Sequence, residues 1–181
     1  IRRQRQMCIR DSKYYAQELK QNTFNLTRMN LIMRGINPSN IEVRNGDTLL
    51  EDWPYFDETD PQGTYKPLYV DAVVSNPPYS QEWNPQDQET DPRYAEFGLA
   101  PKKCADFAFL LHDLYHVKPR GIMTIVLPHG VLYRGGSEYE IRKHLVEFNH
   151  IDAIIGLPEK VFFGTGISTI VMVLKLSLIH I

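Results

Sequence analysis

The sequence has few cysteines, little net charge and no long apolar run. Its two cysteines, Cys8 and Cys104, lie far apart and lack metal-ligand spacing, which favours a reduced, intracellular protein. The formal net charge is only −2, so charge alone does not indicate a nucleic-acid-binding surface. No apolar stretch reaches the length of a membrane span, and nothing resembles a signal peptide. We therefore expect a soluble cytoplasmic protein.

The two ends of the chain do not continue the patterns beside them. At 181 residues the length suggests one domain. Residues Ile1–Ser12 and Ser177–Ile181 are predicted to be non-native tails, and the basic residues of the first are given no weight as a DNA-binding signal. Internal repeats and low-complexity tracts are absent from the sequence. Residues 13–176 remain for reasoning about the fold.

Apolar spacing between these tails predicts alternating helices and strands. The helices are predicted to follow a cap at Asn22 or Thr23 and end at Gly35, to span Ala105–Val117, and to follow a capping box of Ser137 and Glu140. The strands are predicted at Ile41–Arg44, Tyr69–Val74, Ile122–Leu127, Ile151–Ile155 and Ile170–Leu174. Helices that recur between apolar strands imply an α/β fold with a mostly parallel sheet and an antiparallel edge strand.

The segment Asn76-Pro77-Pro78-Tyr79 directly follows the strand predicted at Tyr69–Val74. Ligands of open α/β sheets bind beyond the carboxyl ends of the strands. Because proline fixes its own φ and restricts the residue before it, Asn76 and Pro77 are both constrained. The segment is therefore a candidate catalytic loop. The plain alternative is a rigid, solvated turn, in which asparagine is common.

The residue types of this loop suit a planar substrate that carries an amino group. Asn76 Oδ1 and the Pro77 carbonyl could accept its two N–H bonds. Accepting both helps the amino nitrogen leave conjugation with its ring, so that its lone pair can attack an electrophilic methyl group. Tyr79 could stack on the ring, as enzymes that act on flipped nucleotides require.

The chain resembles a known family over about Tyr14 to Lys175, through an ordered series of motifs. The motifs are Gln17-Glu18, Arg28-Met29-Asn30, Gly46-Asp47-Thr48-Leu49, Ser75-Asn76-Pro77-Pro78-Tyr79-Ser80 with Trp83, Ala105-Asp106-Phe107-Ala108-Phe109, Leu127-Pro128-His129-Gly130-Val131-Leu132 with Arg134-Gly135-Gly136, Gly156-Leu157-Pro158 and Phe163-Gly164-Thr165-Gly166-Ile167. The family is the modification (methyltransferase) subunit of type I restriction–modification systems. Its members are S-adenosylmethionine-dependent DNA adenine-N6 methyltransferases with a Rossmann-like fold.

The resemblance implies roles for three residues outside the catalytic loop. Glu18 would accept hydrogen bonds from the ribose hydroxyls of S-adenosyl-L-methionine, and Asp47 would accept from the amino group of its adenine. Phe109 would pack against the cofactor. The alternatives are a solvated surface carboxylate for Glu18, a turn-forming aspartate for Asp47 and a plain core phenylalanine for Phe109.

The sequence departs from the family at two places. Alanine stands at Ala16, where members usually have glycine, and we expect little effect from this small residue. The glycine-rich loop that holds the methionine end of the cofactor should precede Tyr14 and is missing. Residues 13–176 are therefore expected to be a partial methyltransferase domain, truncated at the N-terminus and without its central strand, and we expect this polypeptide by itself to be inactive.

Other signals are set aside. His112 and His116 have the spacing of a shared metal site on a helix, but a third ligand is missing, so exposed histidines are expected and no metal is required. Gly164-Thr165-Gly166 is more typical of a tight turn than of a phosphate loop. The pairs Lys102-Lys103 and Arg142-Lys143 are interpreted as ordinary solvated charge.

The leading function predicted by the resemblance is site-specific methyl transfer to adenine N6 in double-stranded DNA, with the adenine flipped out. A separate specificity subunit would read the sequence, and a restriction subunit would complete the type I system. N4-cytosine and protein-glutamine amide methylation suit the same loop, because both substrates present a planar NH₂. A catalytically silent methyltransferase-like assembly module is the alternative from another class.

Overall fold

A computed structural model describes residues 12–52, 67–162 and 166–176 of the chain. The chain divides into two compact units, Ile1–Tyr55 and Phe56–Ile181. The predicted tails, apart from Ser12, and the predicted turn at Gly164-Thr165 lie outside the described residues.

The first unit contains two parallel strands joined by a helix. Strand β1 (Tyr14–Glu18) pairs with β2 (Ile41–Asn45), and Glu18 lies opposite Asn45. A parallel pair needs a crossover connection, which α1 (Gln21–Met33) provides. The carboxyl ends of β1 and β2 therefore meet at the same edge of this small sheet.

Helix α1 differs from the prediction at its start and agrees with it at its end. The N-cap residue is Lys20, whose backbone is extended, and no side chain caps the helix. The predicted caps, Asn22 and Thr23, are therefore wrong, because the backbone turns helical before it reaches them. Gly35 follows the helix with a φ of +81°, which glycine adopts without a steric penalty and which ends the helix.

The second unit is built on a four-stranded sheet. Its strands are β3 (Val70–Ser75), β4 (Val117–Pro128), β5 (Ile151–Gly156) and β6 (Thr169–Lys175), in the order β3-β4-β6-β5. β3 and β4 are parallel, whereas β6 is antiparallel to both β4 and β5. The α/β fold with a mostly parallel sheet is confirmed, and its antiparallel strand lies one place in from the edge formed by β5.

Two helices of this unit contribute buried apolar side chains. They are α2 (Asp106–Tyr115) and α3 (Ser137–Glu147). The sequence predicts Phe107, Leu111, Leu114, Ile141, Leu145 and Phe148 on the buried faces of these helices. All are buried except Phe148, the C-cap residue of α3, which is partly exposed. In the ranges that the structure describes, no helix has both the length and the apolar character needed to cross a membrane.

The predicted capping box at the start of α3 is not formed. Gly136 is the N-cap residue, with a φ of +68° and no side-chain cap, and Ser137 is already the first helical residue. Glycine takes this left-handed backbone more readily than serine. The chain therefore enters the helix one residue earlier than the capping box with Glu140 requires.

Strand β4 begins at Val117, five residues before the predicted start at Ile122, because its first part contains a bulge. The bulge accommodates Pro119, which could not donate a hydrogen bond in a regular ladder. Gly121 is needed there, since a Cβ atom at this position would lie 2.9 Å from the Asp71 carbonyl oxygen. The bulge thus lets one strand continue through a segment whose sequence indicates a break.

Candidate active site

The loop after β3 presents one polar side chain to solvent on an anchored backbone. β3 ends at Ser75, and Asn76 and Pro78 are exposed while Pro77 between them is buried. Burial of the Pro77 ring adds to its fixed φ in holding the backbone. The Asn76 amide is therefore accessible at the carboxyl end of a parallel strand, which is the position expected of a ligand-binding group.

Tyr79 contacts Asn76 directly. The Tyr79 hydroxyl donates a hydrogen bond to Asn76 Oδ1 at 2.8 Å, and its ring lies edge-on to Phe162 with 6.4 Å between centroids. Partial burial, and after it the negative charge of Asp106, raise the pKa of the Tyr79 phenol above its ordinary value. The phenol is therefore a neutral donor, and it occupies the oxygen that was predicted to accept from a substrate amino group.

The far end of the loop is held by residues to which sequence reasoning assigned no role. The Ser80 N–H donates to Asp106 Oδ1 at 2.8 Å. Asp106 is fully buried, and its Oδ2 accepts from Arg134 Nη1 at 2.8 Å. A sequence signal for this contact exists: Asp106 is the one charged residue in an apolar run, and a buried carboxylate needs a partner.

A second buried carboxyl group lies beside the end of β3. Asp113 on α2 is hydrogen-bonded to the Ser75 side chain, and its buried Oδ2 has no hydrogen-bond partner among the residues described. Burial raises the pKa of Asp113 to about 7, although the Ser75 hydrogen bond and the charge of His116 act to lower it. The residue just before the candidate catalytic loop thus contacts a group that titrates near neutral pH.

The two acidic residues expected to hold the cofactor lie at one edge of the β1–β2 sheet, in the first unit. Glu18 ends β1, and its Oε1 accepts from the Thr27 hydroxyl at 3.4 Å. Within the described ranges no protein donor reaches Glu18 Oε2, so this oxygen can accept from a hydroxyl. Asp47 follows β2, and its Oδ1 accepts from the Leu49 N–H at 2.9 Å. One oxygen of Asp47 therefore serves its own turn, as the plainer interpretation of this residue expects.

Phe109 lies on α2 in the second unit and is partly exposed. Its neighbour Phe107, two residues earlier, is fully buried. The difference follows from their directions on the helix, since residues two apart point to different sides. Phe109 is thus not enclosed like a core phenylalanine, and its contact with a cofactor stays a prediction.

The prediction that His112 and His116 are exposed is wrong. They are only 8% and 6% exposed. His116 Nδ1 lies 2.6 Å from the Leu68 carbonyl oxygen, and His112 Nδ1 lies 3.1 Å from Arg93 Nη1. Both rings therefore have hydrogen-bond partners in their own unit, which explains how they are tolerated in the interior.

The basic pairs behave largely as the sequence predicts. Lys102 and Lys103 are exposed, and Lys143 faces Glu147 at 3.9 Å on the surface of α3. Arg142 differs, because it is partly buried and donates to the Val131 carbonyl at 3.0 Å. Three of these four side chains are accessible enough to be ordinary solvated charge.

Comparison with known proteins identifies the family. The N-6 DNA methylase family model matches residues 2–177. The chain belongs to the N-6 DNA methylase family. Membership confirms the resemblance that the motif series indicates, and the Asn-Pro-Pro-Tyr loop lies within the matched residues.

Similar proteins support this assignment. The chain is 41% identical to the type I restriction enzyme MpnII methylase subunit of Mycoplasma pneumoniae over 169 residues, covering 90% of this chain and 30% of that subunit. It is 49% identical, with a TM-score of 0.83, to the crystal structure of the type I restriction-modification system methyltransferase subunit from Streptococcus thermophilus. The match covers 91% of this chain and 34% of that one.

A more distant structure shows the breadth of the fold. A Listeria monocytogenes protein described as a candidate class I S-adenosylmethionine-dependent methyltransferase has a TM-score of 0.66 at 17% identity. At this identity the likeness concerns the fold alone, which is the Rossmann-like methyltransferase fold predicted from the sequence. The chain spans about a third of the length of the type I subunits that it matches.

Proposed function

We propose that this protein transfers a methyl group from S-adenosyl-L-methionine to N6 of adenine in double-stranded DNA, as the modification subunit of a type I restriction–modification system. The observation that carries the proposal is the exposed Asn76 amide at the end of a parallel strand, on a backbone anchored by buried Pro77, in a chain of the N-6 DNA methylase family. Asn76, Pro77, Pro78 and Tyr79 form the proposed catalytic loop.

The two oxygen acceptors of this loop would determine the chemistry at the amino nitrogen. Adenine N6 would donate one hydrogen to Asn76 Oδ1 and the other to the Pro77 carbonyl. The nitrogen lone pair would then turn away from the ring and form the new N–CH₃ bond as the S–CH₃ bond of the sulfonium breaks, with the electron pair of that bond left on sulfur. The surplus N6 proton would pass to water beside exposed Asn76. Preorganised acceptors of this kind stabilise the positive charge that develops on the nitrogen.

Tyr79 must change partner for this to occur. Its hydroxyl now donates to Asn76 Oδ1 at 2.8 Å, so an incoming amino group replaces the phenol at that oxygen. The released ring, which is only partly buried, can then stack on the flipped adenine. The exchange keeps Asn76 Oδ1 hydrogen-bonded both before and after the base enters.

The residues of the first unit fit part of the cofactor. Glu18 offers Oε2 to a ribose hydroxyl, and Asp47 retains one oxygen for the adenine amino group. S-adenosyl-L-methionine, when bound, supplies the electrophilic methyl group, because its sulfonium carries a positive charge. Phe109 is proposed to pack against the cofactor from α2.

The proposed partners follow from the relatives and from the charge of the chain. The Mycoplasma pneumoniae relative is named a methylase subunit of a type I restriction enzyme, and a net charge of −2 leaves sequence reading to other surfaces. We propose a specificity subunit that selects the DNA site, together with a restriction subunit. The same assembly would present the adenine in its flipped form.

Substitution of Asn76 tests the mechanism. In the full-length protein, co-expressed with its specificity subunit, Asn76→Ala should lower the methyl-transfer rate by about 100-fold or more and leave cofactor binding nearly unchanged. Asn84→Ala is the matched control, because Asn84 is also exposed and, among the described residues, its Oδ1 accepts from the Gln86 N–H of its own turn. Retained methylation in Asn76→Ala would refute the mechanism.

Two measurements separate the alternatives. Digestion of the modified DNA and identification of the methylated nucleoside distinguishes adenine N6 from cytosine N4, and modified protein without modified DNA would indicate the glutamine amide. Titration with S-adenosyl-L-methionine tests the silent assembly module, which should show no saturable binding.

A further inference from the structure

The last residue of the loop region has a backbone conformation that it does not adopt freely. Ser80 has a φ of +52°, in the left-handed region that residues with a Cβ atom rarely occupy. Its side chain is exposed, so side-chain packing does not impose this conformation. The Ser80 N–H is held in this conformation by its hydrogen bond to Asp106 Oδ1 at 2.8 Å, and the carbonyl oxygen of the next residue, Gln81, accepts from the Ala105 N–H at 2.8 Å.

Asp106 is itself held from its other side. It is 0% exposed, and its Oδ2 accepts from Arg134 Nη1 at 2.8 Å and from the Cys104 thiol at 3.0 Å. Arg134 Nη1 also donates to Glu138 Oε1 at 3.2 Å, and Glu138 is 3% exposed. One guanidinium thus bridges two buried carboxylates, one of which holds the catalytic loop.

The same cluster has the spacing of a metal site. Ligand atoms of Cys104, Asp106 and Glu138 all lie within 4.8 Å of one another. Arg134 Nη1 lies within 2.8 to 3.2 Å of an atom of each of the three. The guanidinium therefore takes the place that a cation would need. The Cys104 thiol stays protonated, since burial and the adjacent Asp106 raise its pKa to about 11.

The backbone beneath Arg134 is shaped to admit it. A Cβ atom at Gly130 would lie 2.8 Å from Arg134 Nε and 2.9 Å from Nη2. A side chain at Gly130, in the short helix His129–Leu132, would therefore push the guanidinium away from the place it now occupies. Gly130 and Arg134 lie in one sequence motif and Asp106 in another, and the structure joins the two motifs through contacts that lead to Ser80.

We propose that Asp106 and Arg134 are positioning residues for methyl transfer, which hold the Asn76–Tyr79 loop in its acceptor geometry through the Ser80 amide. The inference rests on the proposed function of that loop. Without the bond, Ser80 relaxes toward negative φ, and Tyr79 and Asn76 move with it. A displacement of about 1 Å at a reacting group can lower a rate by about 100-fold.

Three variants separate the effect of the oxygen that accepts from the Ser80 N–H from the effect of the negative charge of Asp106. Asp106→Ala and Asp106→Asn both leave Arg134 paired with Glu138, but only the asparagine retains an oxygen for the Ser80 N–H. In the full-length protein with its specificity subunit, Asp106→Ala should lower the single-turnover rate by about 100-fold. The affinities for cofactor and DNA should stay within about threefold, and Asp106→Asn should retain most of the rate. The double variant Asp106→Ala/Ser80→Gly should recover about tenfold of the loss, because glycine adopts a positive φ without the clamp.

The rescue distinguishes positioning from a merely structural role. If Asp106 only stabilised the fold, Ser80→Gly would not restore the methyl-transfer rate of Asp106→Ala. If Asp106→Ala fails to fold, Ser80→Val decides, because Ser80 is exposed and a β-branched residue disfavours positive φ. Ser80→Val should be slower than Ser80→Gly by about tenfold or more. Any of three results would overturn the proposal. The first is a folded Asp106→Ala that works at the wild-type rate, and the second is a folded Asp106→Ala that Ser80→Gly does not rescue. The third is an equal rate for Ser80→Val and Ser80→Gly. Failure of the proposed function would look different, because the wild-type protein itself would then form no N6-methyladenine. Asn76→Ala, measured in the same assay, shows the rate that remains without the acceptor of the loop.

Discussion

The two units of this chain differ in how much apolar surface they bury for themselves. In the second unit, α2 and α3 contribute fully buried side chains such as Phe107, Leu111 and Ile141. In the first unit, α1 has no buried residue, and Leu26, Met29 and Met33 are 56%, 56% and 80% exposed. Burial of apolar side chains is the main stabilising term in folding. The proposed acceptor loop is thus attached to the better-packed unit.

This difference indicates how rigidly the proposed acceptor loop and the proposed cofactor-binding residues are each held. The loop at Asn76 is held by buried Pro77 and by the Asp106–Arg134 pair, all within the second unit. Glu18 ends one strand of a two-stranded sheet and Asp47 follows the other, and so small a sheet is marginally stable unless further elements pack on it. We expect substitutions in the second unit to affect stability and rate most, and those in the first unit to affect cofactor affinity.

The largest expected effect is on stability. Phe107→Ala should lower the free energy of unfolding by about 3–5 kcal/mol, because it leaves a cavity at a fully buried position. Leu26→Ala in α1 is the matched control, with an expected change of about 0.5 kcal/mol or less at a 56% exposed site. Urea unfolding followed by circular dichroism measures both. Equal losses would contradict the difference between the units.

The raised pKa of Asp113 predicts that the stability of the second unit depends on pH. Burial raises its pKa from 3.8 to about 7, so the folded state holds this proton more tightly than the unfolded state. Stability should therefore fall as pH rises from about 4 to about 7, by on the order of 2 kcal/mol. Asp113→Asn should flatten this dependence in urea unfolding across that range. A variant with the same slope as the wild type would show that another group is responsible.

The cofactor side should respond more mildly. Glu18→Gln removes the charged acceptor that we propose for the ribose hydroxyls and should weaken S-adenosyl-L-methionine binding by about tenfold in a calorimetric titration of the full-length protein. Glu42→Gln on β2 is the control, because Glu42 is an exposed carboxylate in the same sheet. If Glu18→Gln leaves the affinity unchanged, Glu18 is an ordinary solvated surface carboxylate.

The smallest effect is expected at the Tyr79 hydroxyl. Tyr79→Phe removes the bond to Asn76 Oδ1 but keeps the stacking face, so the methylation rate should stay within about threefold of the wild type. Tyr79→Ala removes the ring as well and should cost about 1–3 kcal/mol in binding of the flipped base. Fluorescence of 2-aminopurine at the target position reports the flipped state. Equal effects of the two substitutions would show that the hydroxyl, and not the ring, matters.

Local sequence signals predicted most of the second unit. The apolar spacing of α2 placed Phe107, Leu111 and Leu114 on one buried face, because helical periodicity depends only on residues three and four apart. The capping box at Ser137 failed, since Gly136 takes a left-handed backbone before the serine can cap. The residue at which a helix begins depends on one or two dihedral angles, and neighbouring residues can shift it by one position.

The histidines of α2 show what local reasoning misses. Spacing on a helix does not say which side faces the interior, and His112 and His116 are buried where exposure was expected. Their partners are a side chain 19 positions earlier and a carbonyl 48 positions earlier. Contacts of such separation follow from the arrangement of strands and loops around α2, which no local pattern contains.

The amino-acid sequence by itself determined most of the elements and the rigid Asn-Pro-Pro-Tyr loop after an apolar strand, because proline restriction and apolar periodicity act over a few residues. Its ordered series of motifs determined the family. Tertiary structure alone decided that Asp106, 26 residues beyond Ser80, holds the loop amide, and that Arg134, 28 residues further along, neutralises that carboxylate. It also placed β6 between β4 and β5. These pairings depend on the free energy of burying charge and of completing a sheet, which is defined only once distant segments have come together.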